Sequence, residues 1–354
     1  LLVAGMRERM RNGSGGVTVL ALDNLEGNGS ITNALVKEMA REVDPALANW
    51  IDTNISFPNT AVDRITPKAT TDFADAAGKK FGDAFPVIGT EVPRELAIGD
   101  NHIKKLPALE KVGVIITHDP KAFFERKFRL LNRGHTVVAT LAQRIGQTDG
   151  QPIDTIDKAI EVPEVKTFFK TLLASEVKQA LPEATKDNVD TYIDEVIARF
   201  GNIILQDQVT RVGGEGQRKI PKYIFSGIEQ AIEHNLPYEG LVLTAATWVF
   251  SASGGLNEHG RPINMNDPNL EKVRSAAVDI KAAATAADNY QSAVEGVKIV
   301  LNRHDFWKPF AANEDFARAM AYYMRQIDNN DLRSVLADYN KAREVGAQPV
   351  PHVS

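Results

Sequence analysis

The sequence contains no cysteine, which excludes disulfide bonds and thiolate metal sites and favours a reducing compartment. Long apolar runs are also missing, since none approaches the roughly 18 residues that a membrane-spanning helix needs. The net charge is only −5 at pH 7. Such a modest charge argues against nucleic acid and anionic membranes as partners, because both usually need a concentrated basic surface. We therefore expect a soluble cytoplasmic protein.

The length and the residue patterning indicate two domains of different class. A chain of 354 residues accommodates about two domains, and 43% hydrophobic residues supply their cores. Strand-like runs stop near Thr117, and helical spacing of apolar residues dominates afterwards. We expect an α/β domain over residues 1–118 and a mostly helical domain over residues 119–354. Strands are predicted at 17–22, 51–58, 87–92 and 112–117, and helices at 3–12, 30–50, 69–80, 120–146, 163–181, 186–200, 222–235, 239–253, 268–301 and 313–345.

One predicted helix carries a group of candidate catalytic side chains. It begins favourably at Asp119 and Pro120, because Asp accepts free N–H groups and Pro tolerates the first helical position. On a helix of 3.6 residues per turn, Lys127, Asn132 and His135 lie at roughly 0°, 140° and 80° and share one side. An amine, an amide and an imidazole brought together can move a proton, stabilise an oxyanion and orient a hydroxyl. The pattern alone is more typical of a solvated polar face.

Two further polar groups are candidate binding residues. Asp23 and Asn24 directly follow the first predicted strand, where open α/β sheets bind ligands, although the same residues also form ordinary turns. Arg211 and Lys219 flank a glycine-rich stretch that lacks the strand, loop and helix frame of a phosphate site. These two cations suit contacts with oxygen-rich ligands, or are solvated charges in a loop.

Several blocks that contain these residues resemble one family. In order along the chain they are similar to the polyol-specific long-chain dehydrogenases, the mannitol dehydrogenase family, which has mannitol-1-phosphate dehydrogenases and hexuronate reductases as relatives. The resemblance runs from near the first residue through most of the chain. The blocks are Thr18-Val-Leu-Ala-Leu-Asp23-Asn24-Leu-Glu-Gly27-Asn28-Gly29, Phe57-Pro-Asn-Thr-Ala-Val-Asp63-Arg64-Ile-Thr-Pro67, Lys127-Phe-Arg-Leu-Leu-Asn132-Arg-Gly-His135, and Arg211 with Lys219.

The resemblance implies an enzyme that interconverts a polyol and a ketose with NAD or NADP and without zinc. Residues 1–118 would be the C-terminal part of a Rossmann-type nucleotide-binding domain, followed by a mostly helical substrate domain. It implies that Lys127 is the general acid–base, with a pKa brought down toward about 7 by burial and neighbouring charge. It also implies that Asn132 and Asn24 hold the oxygen that becomes the carbonyl, and that His135 binds a second hydroxyl.

The resemblance extends to the rim of the site and includes one departure. It implies that Asn24 and Asp63 lie near the nicotinamide, and that Asp63, Arg211 and Lys219 contact the substrate. The family often has an acidic residue three positions before the lysine, where it serves as a proton relay. In this sequence that position is Phe124, so no relay residue is assigned.

Four questions stay open on sequence alone. The substrate is a free polyol, a sugar phosphate or a hexuronate, and the coenzyme preference is undetermined. No Gly-x-Gly-x-x-Gly follows a predicted strand, so we expect that fingerprint in a preceding segment of about 150 to 200 residues. This chain alone is then expected to bind NAD(H) poorly. The alternative of another class is a non-catalytic helical interaction domain.

The remaining expectations concern metals and assembly. The histidines show no spacing typical of a metal site, so no metal is expected. A small polyol or ketose is the expected partner, and the expected assembly is a monomer or a weak homo-oligomer.

Overall fold

The protein consists of two compact units, Leu1–Lys127 and Phe128–Ser354. The structure is a computed structural model, which describes residues 1–67, 71–82, 88–92, 94–100, 103 and 106–351. The first unit mixes helices with short strands, and the second is mostly helical, as the sequence predicts. The domain boundary predicted after residue 118, where strand-like runs end, stays a prediction.

The first unit contains two small sheets. Strand β1 pairs in parallel with β2, with Val17 opposite Ile55. Strand β3 is antiparallel to β4, which is parallel to β5. In chain order the elements are α1 (Leu2–Arg11), β1 (Val17–Thr18), α2 (Asn28–Val43), α3 (Pro45–Asn54), β2 (Ile55–Ser56), β3 (Thr60–Asp63), α4 (Thr71–Phe81), β4 (Glu95–Gly99), β5 (Ile115–Thr117) and α5 (Pro120–Lys127).

Apolar residues at helical spacing build the core of this unit. Helices α1, α2 and α3 pack together and cover the pair β1–β2. Because each helix presents one apolar stripe, the three stripes bury a common core. The buried members are Val3, Met6, Val36, Ala40, Leu47, Ala48, Ile51 and Ile55.

The single helix predicted over residues 30–50 is in fact two helices. Pro45 starts α3, and the side chain of Asp44 caps it by accepting a hydrogen bond from the Ala46 N–H at 2.9 Å. Helix α2 begins after Gly27, which lies in the left-handed region at φ +69°, and so starts two residues before the predicted helix. The Ser30 N–H donates to the Asn59 side chain at 2.9 Å.

The predicted strands differ from the observed ones. Residues 51–54 of the strand predicted at 51–58 belong to α3, and β3 and β4 lie outside the predicted strands. The run at 17–22 pairs only over Val17–Thr18, because its partner β2 is limited to two residues by the end of α3 and by Pro58. Residues 109–112 form a 3-10 turn, so β5 starts at Ile115. For the strand predicted at 87–92, residue 87 lies outside the described residues and 88–92 form no strand. The helix predicted at 69–80 begins at Thr71 within the described part of the chain.

The second unit is an assembly of helices around one central helix. Helix α13 is apolar on all sides, and every residue from Gly240 to Ala252 is buried. It packs against α6, α14 and α16. The elements are α6 (Arg133–Ile145), β6 (Gln147–Thr148), β7 (Gln151–Pro152), α7 (Ile156–Glu161), α8 (Pro163–Leu172), α9 (Val189–Phe200), α10 (Val209–Val212), α11 (Gly216–Lys219), α12 (Ser226–Glu233), α13 (Glu239–Ala252), α14 (Glu271–Thr285), α15 (Tyr290–Leu301), α16 (Glu314–Asn329) and α17 (Leu332–Glu344). Segments of π-helix occupy Phe128–Asn132, Leu173–Val177 and Ile220–Phe225, and 3-10 turns occupy Lys178–Ala180, Glu183–Asn188 and Asp305–Phe310.

Two long predicted helices in this unit are each interrupted. The helix predicted at 268–301 divides into α14 and α15, because the Asn289 side chain accepts from the Ser292 N–H and starts a new helix. The helix predicted at 313–345 divides into α16 and α17, because Asp331 accepts from the Ser334 N–H in the same way. In both cases a capping side chain offers the backbone an alternative partner, which periodicity does not reveal.

A buried ion network fixes the last helix. The Glu176 carboxylate accepts hydrogen bonds from the N–H groups of Gly240 and Leu241 and from the Tyr339 hydroxyl. The Arg343 guanidinium pairs with the same carboxylate at 2.7 Å. Burial raises the pKa of Glu176, although Arg343 and the N–H donors oppose this shift. The network links α13 to α17 through a charge that is fully hydrogen-bonded.

Over the described ranges, no helix combines the length and the apolar character needed to cross a bilayer.

Gly29 allows α2 to approach the chain that leads into β3. A Cβ at this position would lie 2.3 Å from the Pro58 carbonyl oxygen and 2.5 Å from that of Phe57. We predict that Gly29→Ala lowers the free energy of unfolding by about 2 kcal/mol, because neither backbone group can move aside without strain. The measurement is urea unfolding followed by circular dichroism. Gly5→Ala in α1 is the control, because nothing lies within 4 Å of its Cβ and helix propensity favours Ala. Equal effects of the two substitutions would contradict the prediction.

Candidate functional site

The amine of Lys127 is buried at the end of α5 in the first unit. Lys127 is only 8% exposed. The amine donates to the side-chain oxygen of Asn24 at 3.0 Å and to the carbonyl oxygen of Val62 at 2.6 Å. These three residues are called the lysine cluster. The structure thus brings together Lys127 and Asn24, two residues that lie far apart in the sequence.

Strand β3 provides the floor of the lysine cluster. Helix α5 packs against β3 and β4. Asp63 follows Val62 at the end of β3 and is 4% exposed, so this carboxylate is buried next to the residue that binds the amine. The structure therefore places the predicted site residue Asp63 in the strand that holds Lys127.

A second anchor on α5 fixes the direction of the lysine. Arg126 pairs with both carboxylate oxygens of Glu95 at 2.5 and 2.6 Å. Glu95 is the residue opposite Asp63 in the β3–β4 register. One terminal nitrogen of Arg126 makes both contacts, and this charge-assisted pair ties α5 to β4. At the other end of α5, the Asp119 side chain accepts from the Ala122 N–H at 3.1 Å, which confirms the predicted helix start.

Asn28 holds the loop of Asn24 to strand β3. Its side-chain amide donates to the Asp23 carbonyl at 3.0 Å and to the Thr60 hydroxyl at 2.9 Å. Its side-chain oxygen accepts from the Thr60 N–H at 2.9 Å. Asn28 is 2% exposed, so these bonds form away from water. The loop and the strand that supply the two acceptors of the lysine amine are therefore joined by one side chain.

Asn132 is a predicted site residue of the second unit. It is the last residue of the π segment Phe128–Asn132. Its side-chain nitrogen is buried and has no hydrogen-bond partner among the residues that the structure describes. Buried polar groups are nearly always paired, so an unpaired one marks strain or the position of an ordered water, an ion or a ligand.

The π segment corrects the helical geometry expected from the sequence. Angles of roughly 0°, 140° and 80° assume 3.6 residues per turn throughout. That assumption is wrong over residues 128–132, because a π-helix has i→i+5 bonding and a wider turn. Regular α-helical geometry resumes at Arg133, where α6 starts, so it includes His135. Single π turns inside helices are frequent at functional sites.

His135 lies in the first turn of α6 with its ring stacked on Phe200. The ring centroids are 4.1 Å apart and the planes are inclined by 13°. His135 is partly exposed, whereas Phe200 is buried at the end of α9. One face of the imidazole is therefore covered by a buried aromatic ring.

The Arg211 guanidinium is held by a buried carboxylate. Its Nε donates to Asp207 at 2.8 Å, and a terminal nitrogen contacts the other oxygen of Asp207 at 2.5 Å. The Asp207 side chain is only 5% exposed, whereas that of Arg211 is 49% exposed. The pairing orients the guanidinium while it remains accessible to ligands.

Lys219 contacts the last two residues of the short helix α10. Its amine donates to the carbonyl oxygens of Val212 at 2.8 Å and Arg211 at 3.1 Å. Burial lowers the pKa of Lys219, and the positive charges of Arg211 and Arg218 act in the same direction. The structure thus brings Arg211 and Lys219 together through the backbone of α10. Lys219 caps the carbonyl end of that helix in addition to any ligand role.

Among the residues that the structure describes, no group of three or more His, Asp and Glu side chains is arranged to hold a metal ion.

Sequence reasoning missed three supporting residues of the two units. Asn28 carried a weak signal, because an Asn flanked by glycines is typical of a turn. Asp207 carried the signal of an i, i+4 pair with Arg211. Val62 gave no signal in the sequence, because it acts through its carbonyl oxygen, which every residue type possesses.

Comparison with known proteins identifies the class of this fold. A family model described as the mannitol dehydrogenase C-terminal domain matches residues 119–328, and one described as the mannitol dehydrogenase Rossmann domain matches residues 1–111. The chain belongs to the mannitol dehydrogenase family.

Named relatives and solved structures are similar to the chain over most of its length. Mannitol 2-dehydrogenase of Aspergillus fumigatus is 31% identical over 343 residues, which are 96% of this chain and 64% of that protein. Mannitol 2-dehydrogenase of Aspergillus clavatus is 33% identical over 281 residues, which are 78% of this chain and 54% of that protein. The chain therefore spans less than two thirds of the length of these relatives.

Two solved structures share the fold at 24% identity. The first is D-sorbitol dehydrogenase in substrate-free form, with a TM-score of 0.78 and coverage of 94% of this chain and 65% of that one. The second is mannitol 2-dehydrogenase of Pseudomonas fluorescens in a ternary complex with NAD and D-mannitol, with a TM-score of 0.71 and coverage of 96% and 65%. The predicted combination of a Rossmann-type unit and a mostly helical unit is confirmed.

The unpaired donor of Asn132 generates a stability prediction. We expect Asn132→Leu to leave the free energy of unfolding unchanged or to raise it, because an apolar side chain of similar size removes a buried group with no partner. The control is Asn257→Leu, because Asn257 is equally half-buried but its side chain accepts from the N–H groups of His259 and Arg261. That control should lose about 1–3 kcal/mol. The measurement is urea unfolding of both variants, and an equal loss in both would contradict the assignment of Asn132 as a group kept for a ligand.

Proposed function

We propose that this protein interconverts a polyol and a ketose with NAD(P) and without zinc, with Lys127 as the general acid–base. The observation that carries the proposal is the lysine cluster, a buried amine held by the Asn24 side chain and the Val62 carbonyl. Alcohol oxidation needs a base for the hydroxyl proton, and a positioned amine can supply one. Because both acceptors belong to folded backbone or to a loop tied down by Asn28, the amine is oriented before substrate arrives.

Asn132 and Asn24 are proposed to bind the oxygen that changes charge. The Asn24 amide oxygen accepts from Lys127, so the nitrogen of the same amide is the group available for substrate. The buried Asn132 nitrogen is a second donor with no partner in the described residues. Each donor aimed at a developing oxyanion contributes about 3–4 kcal/mol in the transition state. In oxidation the hydroxyl proton passes to Lys127 while these amides stabilise the oxygen left behind.

The other polar residues are proposed to position the sugar chain. His135 would bind a second hydroxyl. Arg211 and Lys219 would contact the distant hydroxyls, and the ion pair with Asp207 supports this role by orienting the guanidinium. Asp63 would lie at the rim near both the substrate and the nicotinamide.

The residues of the first unit fit the reactive end of a nicotinamide cofactor. Asn24 and Asp63 are proposed to hold it, and the polar donors and acceptors of the lysine cluster suit a carboxamide and a ribose hydroxyl. When bound, NAD(P) accepts the hydride from the carbinol carbon. No residue of this chain is assigned to the diphosphate. The mannitol 2-dehydrogenase solved with NAD and D-mannitol favours NAD over NADP as the proposed coenzyme.

The named relatives favour a free polyol as substrate. They are mannitol 2-dehydrogenases, which supports the mannitol and fructose pair over fructose 6-phosphate or a hexuronate. A panel of mannitol, arabinitol, fructose 6-phosphate, fructuronate and tagaturonate separates these classes. We also propose a cytoplasmic protein that acts as a monomer or weak homo-oligomer, with residues 1–118 serving the nucleotide and 119–354 the substrate.

The role of Lys127 is tested by its removal. We expect Lys127→Ala to lower kcat for polyol oxidation by about 100- to 10,000-fold, the usual contribution of a general base. Added primary amines should restore part of the rate, because they replace the missing group. The circular dichroism spectrum should remain that of the wild type.

Lys37→Ala is the matched control for this experiment. Lys37 is another lysine of the first unit with a largely buried side chain, 20% exposed, and its amine pairs with Asp52. Its loss should leave kcat near the wild-type value. A Lys127→Ala protein with wild-type kcat, or one insensitive to added amines, would remove Lys127 as the base.

Nucleotide binding separates the enzyme from the non-catalytic alternative. We expect protein purified from its natural source, with its length defined by intact mass, to bind NADH or NADPH in a fluorescence titration. This 354-residue chain is expected to bind more weakly, since it has no Gly-x-Gly-x-x-Gly after a strand. If the natural protein binds neither nucleotide, a helical interaction domain becomes the better interpretation.

A further inference from the structure

Three aromatic rings form a continuous stack beside α6. The His135 ring lies on Phe200 with centroids 4.1 Å apart and planes inclined by 13°. Phe200 lies on Phe169 with centroids 5.4 Å apart and planes inclined by 15°. Phe169 is fully buried and Phe200 is 2% exposed, so the two rings behind the imidazole are part of the core.

The glycine before the histidine makes room for this stack. A Cβ on Gly134 would lie 2.6 Å from the Phe169 ring and 3.5 Å from the Phe200 ring. Only a residue without a side chain lets α6 approach α8 so closely. Gly134 therefore leaves space for the Phe169 and Phe200 rings, and the ring of the next residue, His135, stacks on Phe200.

We propose that Phe200, backed by Phe169 and Gly134, is a positioning residue that fixes the plane of the His135 imidazole and thereby where its ring nitrogens meet the substrate. Both nitrogens bond in the plane of the ring, and hydrogen bonds weaken steeply away from their preferred direction. A side chain such as His rotates broadly about its last torsion when nothing holds it. A flat, buried ring 4.1 Å away restricts that rotation to one plane. The inference rests on the proposed function, in which His135 binds a substrate hydroxyl.

The stack itself is tested without catalysis. Protons above an aromatic face are shielded, so the ring-proton signals of His135 should lie upfield in wild-type protein labelled on histidine. Phe200→Leu removes the flat ring while it keeps an apolar side chain, and should move these signals downfield. His135→Ala identifies the signals among those of the chain's 7 histidines. Unchanged His135 signals in Phe200→Leu would overturn the proposal.

The kinetic test asks whether Phe200 acts through His135. We expect Phe200→Leu to lower kcat/KM for the polyol by roughly ten- to a hundredfold, mainly through a higher KM, because a misplaced contact loses orientation. In a His135→Ala background the same change should cost less than about twofold, because its target is gone. Phe200→Tyr keeps the ring and should retain most of the activity. Equal losses in both backgrounds would show a merely structural role.

Phe168→Leu is the matched packing control. Phe168 neighbours Phe169 on α8 and is fully buried, but its ring meets Tyr339 edge-on at 4.9 Å instead of His135. It should lose stability like Phe200→Leu while KM stays near the wild-type value and the His135 signals do not move. If Phe200→Leu fails to fold, Phe200→Met takes its place.

The two arms distinguish failure of the inference from failure of the proposed function. If the wild-type protein turns over none of the polyols or ketoses, the proposed function fails and the ring-proton shifts alone decide whether Phe200 orients His135. If turnover occurs and the shifts or the coupling are absent, only the positioning role is overturned.

Discussion

The buried amine of Lys127 is the constraint around which the first unit is arranged. Burying an ammonium group away from water is costly unless its N–H groups find acceptors. The Asn24 side chain and the Val62 carbonyl supply them, and each is itself fixed. Asn28 ties the Asn24 loop to β3, while the pair of Arg126 with Glu95 holds α5 against β4. The site therefore depends on the sheet, since a shift of β3 by one residue would exchange the Val62 carbonyl for an outward-facing group.

The two asparagines of the site show how function and stability oppose each other. Asn28 satisfies its amide completely within the fold, and its role is to stabilise. Asn132 is also part of the interior, yet its side-chain nitrogen has no partner in the described part of the chain. A sequence selected for stability alone would place an apolar residue there. A ligand oxygen, as proposed above, or an ordered water would complete this donor.

Much of this organisation was predictable from the sequence, and the failures have physical causes. Asp119 and Pro120 gave the start of α5 correctly, because capping chemistry is local. Asp44 with Pro45 is an equally clear start signal, but the apolar periodicity on both sides of it concealed the break between α2 and α3. The π segment after Lys127 has no composition signal of its own, and it arises from packing. The hydrogen bond from Lys127 to Val62 was beyond sequence reasoning, because a backbone carbonyl is common to all residues.

In each unit, the side chains that are proposed to act are oriented by other groups of the same unit. The hydrogen bonds from Lys127 to Asn24 and Val62 join residues of the first unit. His135 and Arg211 are held within the second unit, one by the ring of Phe200 and the other by the Asp207 carboxylate. Orientation in both units thus comes from packed or buried groups behind the side chain that is proposed to act. Pre-organisation of this kind lowers the entropy lost when substrate is bound, because few rotamers remain to be fixed. It also explains why the supporting residues Asn28, Asp207 and Phe200 are buried while Asn24 and Arg211 remain exposed.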